Sequence, residues 1–487
     1  MKIETEIEIE SKLNRLFTNH FENEKILSCL QLPVSGSSRR YFKITGSVNK
    51  AIGALNNDIR ENIAFLEFSK SFLSNGINVP RIYEVSSDKT YYLLEDLGSM
   101  TLYDYLTETR KKEDFSANII NIYKKVLTEL PKIQITAGKN INYKVCYPRA
   151  AFDRQSMIWD LNYFKYYFLK LAKIPFNEQL LENDFMSFTD FLLKADNSFF
   201  LYRDFQSRNI MINKEKIGFI DYQGGRKGPL QYDLASLLYD AKANIPHSVR
   251  KELYSFYLKE LKKYHSVKQS DFELYYPGYI LIRILQSMGA YGYRGFYEKK
   301  EHFLKSIPFA IDNMKQILND YPSFEKFPEL YNSLKKITES NYLISLGTPK
   351  KKLIIDVCSF SYKKGIPEDT SGNGGGFVFD CRAVHNPGRY EPYKRLTGKD
   401  PKVKQFLEEK SEMSEFLVPI FSLLDQTIDK YIARGFTHLN VCFGCTGGQH
   451  RSVYAAEKTA LHLKKKYPVY VNIVHRELKK QTFKPKI

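Results

Sequence analysis

The sequence predicts two domains, an α+β domain of two lobes and a smaller α/β domain after it. A chain of 487 residues is longer than a single hydrophobic core usually supports. Over residues 1–337, strand patterns come mostly first and helical patterns follow, which is typical of an α+β fold. Strand and helix patterns alternate from residue 353 onward, which favours a separate α/β unit.

The first lobe is expected over residues 30–97, after a helix predicted within residues 1–30. Apolar residues flank a Ser/Gly-rich turn at residues 32–44, which indicates a β-hairpin whose tip could approach phosphates. The elements predicted after this hairpin are a strand at residues 50–55, a helix at 58–75 and a strong strand at 90–97.

The second lobe is expected to be mainly helical over residues 100–337, with a long helix at 152–168. Residues 338–352 hold a glycine, a proline and three lysines and are expected to form a linker. The smaller domain then covers residues 353–480, and residues 481–487 form a basic tail. Its predicted elements are strands at 353–360, 377–382, 439–443 and 469–474, a glycine-rich loop at 372–376 and a helix at 401–433.

A short polar loop and the strand after it carry the residues expected to perform chemistry. Asp204 and Asn209 stand five residues apart, and Asp221 follows the strand-type run at residues 217–220. Phosphoryl transfer from ATP needs a carboxylate that accepts the hydroxyl proton and oxygen ligands that hold Mg²⁺ against the phosphates. The spacing matches that of kinase catalytic loops, whereas a polar turn that caps a helix is the simpler alternative.

Two stretches of the first lobe are expected to contact ATP. The small residues at positions 35–38 form the hairpin tip, and two arginines follow them. Residues 95–97 would form the hinge between the lobes, where backbone groups meet adenine. The nucleotide-binding candidates are Ser37, Ser38, Arg39, Arg40, Glu95 and Leu97.

Charge and composition limit the partners and the compartment. The net charge is +18, and residues 351–487 hold 24 lysines and arginines against 14 aspartates and glutamates. Such a basic surface attracts phosphate, anionic sugars or RNA, with a solvated lysine face as the simpler alternative. The chain has no apolar run of membrane-helix length, an acidic N-terminus and six scattered cysteines. We therefore expect a cytoplasmic protein without a membrane partner.

The loop at residues 445–452 is the expected phosphate site of the smaller domain. It follows a predicted strand and opens a helix, so its backbone N–H groups and the helix dipole favour an anion. Arg451 can hold a phosphate through two parallel hydrogen bonds. The Cys-x₅-Arg spacing is also that of cysteine phosphatases, and Asp380 is then the best candidate for the general acid.

Residues 30–240 resemble the aminoglycoside phosphotransferase and choline kinase superfamily. Tyr-Arg-Asp-Phe-Gln-Ser-Arg-Asn at residues 202–209 is similar to its H-x-D-x-x-x-x-N motif, with Tyr202 in the histidine position. Residues 37–43, 202–209 and 220–238 more closely resemble the sugar kinases that phosphorylate the anomeric hydroxyl of N-acetylmuramate and N-acetylglucosamine. The resemblance implies ATP and Mg²⁺ as cofactors. The roles that it implies are those of the base for Asp204 and of metal ligands for Asn209 and Asp221.

One departure from the kinase pattern concerns the basic residue that contacts the ATP phosphates. The strand at residues 50–55 does not end in the lysine of a V-A-I-K strand. The candidates for this contact are Arg39, Arg40 and Lys50, and those for its acidic helix partner are Glu61 and Glu67.

Residues 353–480 resemble the C-terminal domain of the RNase adapter protein RapZ. The motifs F-D-x-R-x-x-x-N-P, T-G-x-D and G-C-T-G-G-x-H-R-S-V are similar to residues 379–387, 397–400 and 444–453. The resemblance implies a domain that binds an amino-sugar phosphate and a small RNA. The ligand residues expected from the resemblance and from the loop are Asp380, Arg382, Cys445, Thr446, Gly447, Gly448, His450, Arg451 and Ser452.

The sequence thus predicts an α+β bilobal kinase-like domain followed by a small α/β domain with a phosphate-binding Cys-x₅-Arg loop. The expected function is an ATP- and Mg²⁺-dependent amino-sugar kinase fused to a phosphosugar-binding domain. The acceptor would be the anomeric hydroxyl of N-acetylglucosamine or N-acetylmuramate in cell-wall sugar recycling. Two alternatives stay open, namely a phosphosugar sensor that binds RNA through the basic domain, and a phosphatase-like C-terminal domain.

Overall fold

The computed structural model describes residues 5–33, 39–110, 115–213, 216–346, 352–368 and 375–478. It divides into two compact units, residues 1–348 and 349–487, and each is described by itself. Within the described residues, we find no helix that combines the length and the apolar character needed to cross a membrane.

The first lobe is an antiparallel sheet of five strands in the order β1-β2-β3-β5-β4. Its strands are β1 (Ile26–Gln31), β2 (Arg40–Gly46), β3 (Lys50–Leu55), β4 (Ile82–Val85) and β5 (Tyr91–Glu95), and its helices are α1 (Glu6–His20) and α2 (Ile59–Ser74). The helix expected within residues 1–30 therefore ends at His20, and β1 follows, because residues 26–31 find a pairing partner in β2. This lobe begins at α1, whose buried face packs against the sheet.

The second lobe of the first unit is mainly helical, with two short strand pairs that frame the polar loop. Strand β6 pairs with β9, and β7 pairs with β8, all antiparallel. The elements are α3 (Leu102–Thr109), α4 (Ala117–Pro131), α5 (Arg154–Phe164), α6 (Glu178–Leu192), β6 (Phe199–Leu201), β7 (Ile210–Asn213), β8 (Lys216–Phe219), β9 (Arg226–Gly228), α7 (Leu230–Leu238), α8 (His247–Leu261), α9 (Gln269–Tyr291), α10 (Glu301–Leu304), α11 (Ile307–Asp320), α12 (Pro328–Thr338) and α13 (Asn341–Ser345).

Two boundaries in this lobe differ from the expectation. The long helix expected at residues 152–168 is α5 followed by a π-helical turn, Lys165–Leu169. The segment expected to be a linker, residues 338–352, begins inside the first unit, because α13 packs on α11 and its Leu343 is fully buried.

The second unit is an α/β fold around a parallel sheet of four strands in the order β11-β12-β10-β13. Its elements are β10 (Ile354–Ser361), β11 (Gly376–Asp380), α14 (Pro401–Glu409), α15 (Met413–Arg434), β12 (His438–Cys445), α16 (Arg451–Lys466) and β13 (Tyr470–His475). The single helix expected at residues 401–433 is two helices, interrupted at residues 410–412. Most of the glycine-rich loop at 372–376 and the basic tail lie outside the described residues.

Candidate functional site

The structure brings the three expected catalytic-loop residues together. Asp204 follows β6, Asn209 ends a 3₁₀ turn before β7, and Asp221 follows β8, so the strand pair β7–β8 sets their spacing. The Asn209 Nδ2 group donates to the Asp204 carbonyl oxygen at 2.8 Å and to Asp221 Oδ2 at 3.1 Å. Both contacts use the amide nitrogen, so Oδ1 is the atom of Asn209 that could bind a metal.

Asp221 is held in an unusual environment for a carboxylate. Its backbone φ of 68° lies in the left-handed region, which is rare for a residue with a side chain. Burial and the neighbouring charge of Asp204 raise the pKa of Asp221, although a hydrogen bond from Gln223 Nε2 at 2.7 Å opposes this shift. Two repelling carboxylates in one site are an arrangement that a bound cation would stabilise.

Asp233 anchors the candidate catalytic loop, residues 202–209, from helix α7. Its fully buried carboxylate accepts the backbone N–H groups of Tyr202 at 2.9 Å and Arg203 at 3.0 Å, and the side-chain amide of Gln134 at 3.2 Å. Burial raises the pKa of Asp233 to about 7. Arg203 has a left-handed φ of 83°, so this carboxylate holds a backbone conformation that costs about 1–3 kcal/mol elsewhere.

Tyr202 connects the catalytic loop to the residue before Asp221. Its side chain is 1% exposed, and its hydroxyl donates to the carbonyl oxygen of Ile220 at 2.7 Å. The tyrosine in the histidine position of the motif therefore fixes the loop relative to the end of β8. Because Ile220 precedes Asp221 directly, this bond acts on the position of the candidate metal ligand.

Arg203 is a half-buried cation whose guanidinium has two polar partners. Its guanidinium contacts Asp160 Oδ1 at 2.5 Å and donates to the Tyr232 hydroxyl at 2.7 Å. It also lies over the rings of Phe152 and Tyr232 at about 5 Å from their centroids. These contacts tie the catalytic loop to α5 and α7.

A cleft of about 200 Å³ lies between the two lobes of the first unit. Tyr41, Ile52 and Leu94 of the sheet line one side, and Met211 and Ile220 line the other. The chain passes between the lobes after β5, and the expected hinge residues Glu95 and Leu97 line the cleft together with Asp221. An apolar slot of this kind suits the planar base of a nucleotide, and Asp221 in its wall could hold a cation against the phosphates.

The structure selects one of the candidate ion pairs next to this cleft. Arg39 is 2% exposed and contacts Glu61 of α2 at 3.1 Å, whereas Glu67 is exposed on the same helix. Arg40 instead contacts Glu6 at 3.4 Å and Gln31, and Lys50 is exposed. The hairpin residues Ser37 and Ser38 lie outside the described residues.

In the second unit, the loop after β12 closes on its own cysteine. The Gly448 N–H group donates to Cys445 Sγ at 3.2 Å, and Ser452 Oγ lies 3.2 Å from the same sulfur. Cys445 is 2% exposed, while Thr446 and Gly447 face the solvent. The exposed residues of the loop are therefore Thr446, Gly447 and Gln449, whereas the thiol is buried.

Arg451 contacts the protein more than it faces the loop opening. Its NH1 donates to the carbonyl oxygens of Arg382 at 2.9 Å and Val384 at 2.8 Å, and its NH2 reaches Thr446 Oγ1 at 3.4 Å. The side chain is 4% exposed. The expected clasp of a phosphate by this guanidinium would have to use NH2 or the buried Nε, because NH1 already donates to two main-chain oxygens and Nε has no partner among the described residues.

The remaining expected residues of this site lie at the carboxyl edge of the parallel sheet. Asp380 ends β11 next to Gly444 of β12, and its carboxylate accepts hydrogen bonds from the Arg382 side chain at 2.6–3.0 Å. These hydrogen bonds keep the pKa of Asp380 below its usual range. His450 contacts the carbonyl oxygen of Tyr393 at 2.9 Å, which directs its ring to the protein.

Comparison with known proteins identifies both units. Residues 30–268 match the phosphotransferase enzyme family, and residues 353–479 match the RapZ C-terminal domain. The first unit is a phosphotransferase. The expected enzyme class and both resemblances at the family level are confirmed, and the kinase-like α+β domain followed by a separate α/β domain with a parallel sheet is confirmed as the fold class.

Individual relatives are similar to parts of the chain. A nucleotide-binding protein of Ruminiclostridium cellulolyticum is 40% identical over 142 residues, which are 29% of this chain and 47% of that protein. The chain thus spans about half the length of the curated relatives it matches. A choline kinase of Cryptosporidium parvum has a TM-score of 0.45 at 13% identity and covers 68% of this chain and 100% of its own. An ethanolamine kinase of Plasmodium vivax has a TM-score of 0.44 at 12% identity, and the match covers 67% of this chain and 92% of that kinase.

Several basic residues beside the two candidate sites were not proposed from the sequence as site residues. In the phosphotransferase domain, Arg226 of β9 lies beside the catalytic loop, because β9 pairs with β6. In the RapZ C-terminal domain, Lys364 pairs with Glu477, and Arg476 donates to the Gly365 carbonyl oxygen at 3.4 Å. These basic residues follow the ends of β10 and β13, and the rule that sites gather at the carboxyl edge of a parallel sheet would have pointed to them.

Proposed function

We propose that the phosphotransferase domain is an ATP- and Mg²⁺-dependent amino-sugar kinase. The observation that carries this proposal is the contact of Asn209 with both Asp204 and Asp221, at 2.8 and 3.1 Å, beside a cleft that Asp221 lines. A base, an amide oxygen and a second carboxylate next to an apolar slot form the set that phosphoryl transfer from ATP requires.

In the proposed reaction, the acceptor hydroxyl oxygen forms a bond to the γ-phosphorus. The bond between that phosphorus and the β–γ bridging oxygen breaks, and ADP leaves with the electron pair. Asp204 accepts the hydroxyl proton. Arg39, whose position is held by Glu61, provides a cation near the cleft, and its charge opposes the rise in the pKa of Asp221.

The donors at this site fit Mg²⁺. This ion takes oxygen ligands and is usually held by one or two carboxylates together with substrate phosphates. Asn209 and Asp221 provide an amide oxygen and a carboxylate, and the described residues contain no group of three or more His, Cys, Asp or Glu that could hold a metal alone. When bound, Mg²⁺ would neutralise charge on the phosphates. Asp221 would bind the ion through its deprotonated carboxylate.

The proposed acceptor is the anomeric hydroxyl of N-acetylglucosamine or N-acetylmuramate, in cell-wall sugar recycling in the cytoplasm. The support is the resemblance of residues 37–43, 202–209 and 220–238 to kinases of these sugars. The test is a screen of N-acetylated hexosamines with ATP and Mg²⁺, with phosphorus NMR of the product and Asp204→Asn as the inactive control. A 1-phosphate that forms only with the wild type is expected. Transfer to the 6-hydroxyl, or no transfer to any sugar, would refute the proposed acceptor.

For the RapZ C-terminal domain we propose binding of a hexosamine phosphate at the loop 445–452. The exposed backbone of Thr446 and Gly447 at the N-terminus of α16 offers N–H groups to an anion, and Arg382 is an exposed cation at the adjacent strand end. Cys445, Gly448 and Ser452 form the base of the loop, and Asp380, His450 and Arg451 surround it.

Isothermal titration of the full chain with glucosamine 6-phosphate tests this site. Arg382→Ala is expected to weaken binding about 10-fold, equivalent to about 1.4 kcal/mol, whereas Arg389→Ala, an exposed arginine of the same domain, is the matched control. Equal affinity of the two variants would contradict the assignment. Phosphate release by the wild type that is lost in Cys445→Ser would favour the phosphatase alternative. The lowered pKa of Asp380 disfavours that alternative, because a general acid has to be protonated. RNA binding in a mobility-shift assay, with an affinity that falls steeply with salt, would favour the alternative of a phosphosugar sensor that binds RNA.

A further inference from the structure

Arg226 is a buried cation beside the catalytic loop that lacks a carboxylate partner among the described residues. It stands on β9 directly opposite Leu201 of β6, three residues before Asp204. Its side chain is 7% exposed, and its Nε donates to the carbonyl oxygen of Gly224 at 3.0 Å. No carboxylate oxygen of a described residue lies within 4.0 Å of its nitrogens.

The nearby Arg203 has the carboxylate partner that Arg226 lacks in the described part of the chain. Arg203 has Asp160 at 2.5 Å and the Tyr232 hydroxyl at 2.7 Å. Burial and the positive charge of Arg203 lower the pKa of Arg226 to about 10, while Asp160 and Asp204 act in the opposite direction. A buried charge without a close counter-ion is costly, and a ligand anion is the usual way in which a binding site balances it.

We propose that Arg226 binds an anionic group, a carboxylate or a phosphate, on the acceptor substrate. This inference rests on the proposed kinase function and narrows its substrate class. The planar guanidinium can donate two parallel hydrogen bonds to such a group. Because Arg226 lies opposite Leu201, three residues before Asp204, the anion would bind near the hydroxyl that Asp204 deprotonates. Of the two proposed sugars, N-acetylmuramate carries a carboxylate and N-acetylglucosamine does not.

The other source of an anion is the ATP phosphate chain. The nucleotide cleft, as far as its described lining shows, includes Asp221 and not Arg226. The first lobe already has a buried arginine that could serve the ATP phosphates, namely Arg39, which pairs with Glu61. These observations favour the acceptor over ATP as the source of the anion, and the experiment separates the two sources.

The experiment compares Arg226→Gln and Arg226→Lys with the wild type on N-acetylmuramate and N-acetylglucosamine. The exposed neighbour Lys227 supplies the matched control, Lys227→Gln. The wild type is expected to prefer the carboxylated sugar, and the ratio of the two kcat/KM values should fall about 10–100-fold in Arg226→Gln, as for a lost charged hydrogen bond. Arg226→Lys should keep part of the preference, and Lys227→Gln all of it.

An equal loss on both sugars would overturn the inference, because Arg226 would then act on Asp204 alone. A raised KM for ATP with an unchanged sugar preference would overturn it in favour of the nucleotide phosphates. Phosphorylation of neither sugar would refute the proposed acceptor. The inference is then decided by titrating the full-length Asp204→Asn protein with N-acetylmuramate against N-acetylglucosamine and with glucuronate against glucose. Absent or equal binding within both pairs would overturn it, and thermal melting of each variant checks its fold.

Discussion

Glu61→Gln tests whether the Arg39–Glu61 pair supports nucleotide binding. Arg39 NH2 lies 3.1 Å from Glu61 Oε2, and the Arg39 side chain is 2% exposed. At an effective dielectric constant of about 20, two charges at this distance attract by about 5 kcal/mol before desolvation is counted. Glutamine keeps the size and one acceptor oxygen but removes the charge, so a net loss of about 2 kcal/mol in unfolding free energy is expected. Asn56, which donates to Glu61 Oε2 at 2.7 Å, keeps an acceptor.

The same substitution should loosen Arg39 and raise the KM for ATP about 10–100-fold, since each 1.4 kcal/mol changes an equilibrium tenfold. Glu67→Gln is the matched control, because Glu67 is exposed on the same helix and removes the same charge. Initial rates at varied ATP concentrations measure the KM, and urea unfolding measures the change in the free energy of unfolding. Equal KM values for the two variants would refute the reasoning, because they would show that net charge on α2, and not the pair, matters.

Three further predictions concern the catalytic loop. Asp204→Asn should lower kcat by at least about 100-fold with an unchanged circular dichroism spectrum, and near-normal turnover would remove Asp204 as the base. Tyr202→Phe leaves the Ile220 carbonyl oxygen without its donor, so urea unfolding should show a loss of about 1–2 kcal/mol, and an unchanged stability would count against that bond. Because the pKa of Asp221 is raised and Mg²⁺ competes with its proton, the apparent affinity for Mg²⁺ should fall with decreasing pH, beginning at a higher pH than for an ordinary aspartate. An apparent affinity for Mg²⁺ that stays constant from pH 5 to 8 would argue against Asp221 as a ligand.

The sequence alone predicted that Asp204, Asn209 and Asp221 come together, because the relevant information is local. Asp204 and Asn209 are close in the chain, and one strand pair brings Asp221 to them. The partner of Arg39 was left open between Glu61 and Glu67, since both stand on one helix and only the packing of α2 against the sheet decides which faces the arginine.

Long-range pairing explains the other differences. Residues 26–31 continue the helix-like start of the chain, but their pairing with β2 makes them a strand. The orientation of Arg451 depends on carbonyl oxygens of Arg382 and Val384, which the parallel pairing of β11 with β12 brings beside the loop. Neither contact leaves a signal in local residue spacing, so composition and periodicity could not reveal it.

The grip of Asp233 on the catalytic loop has a consequence for hydrogen exchange. The amide protons of Tyr202 and Arg203 both end on this one buried carboxylate of α7. They can exchange with solvent only when the loop separates from that helix, so both should become labelled together and at the rate of α7 opening. In deuterium-labelling experiments without substrate, the two amides would then report how firmly residues 202–203 are attached to α7.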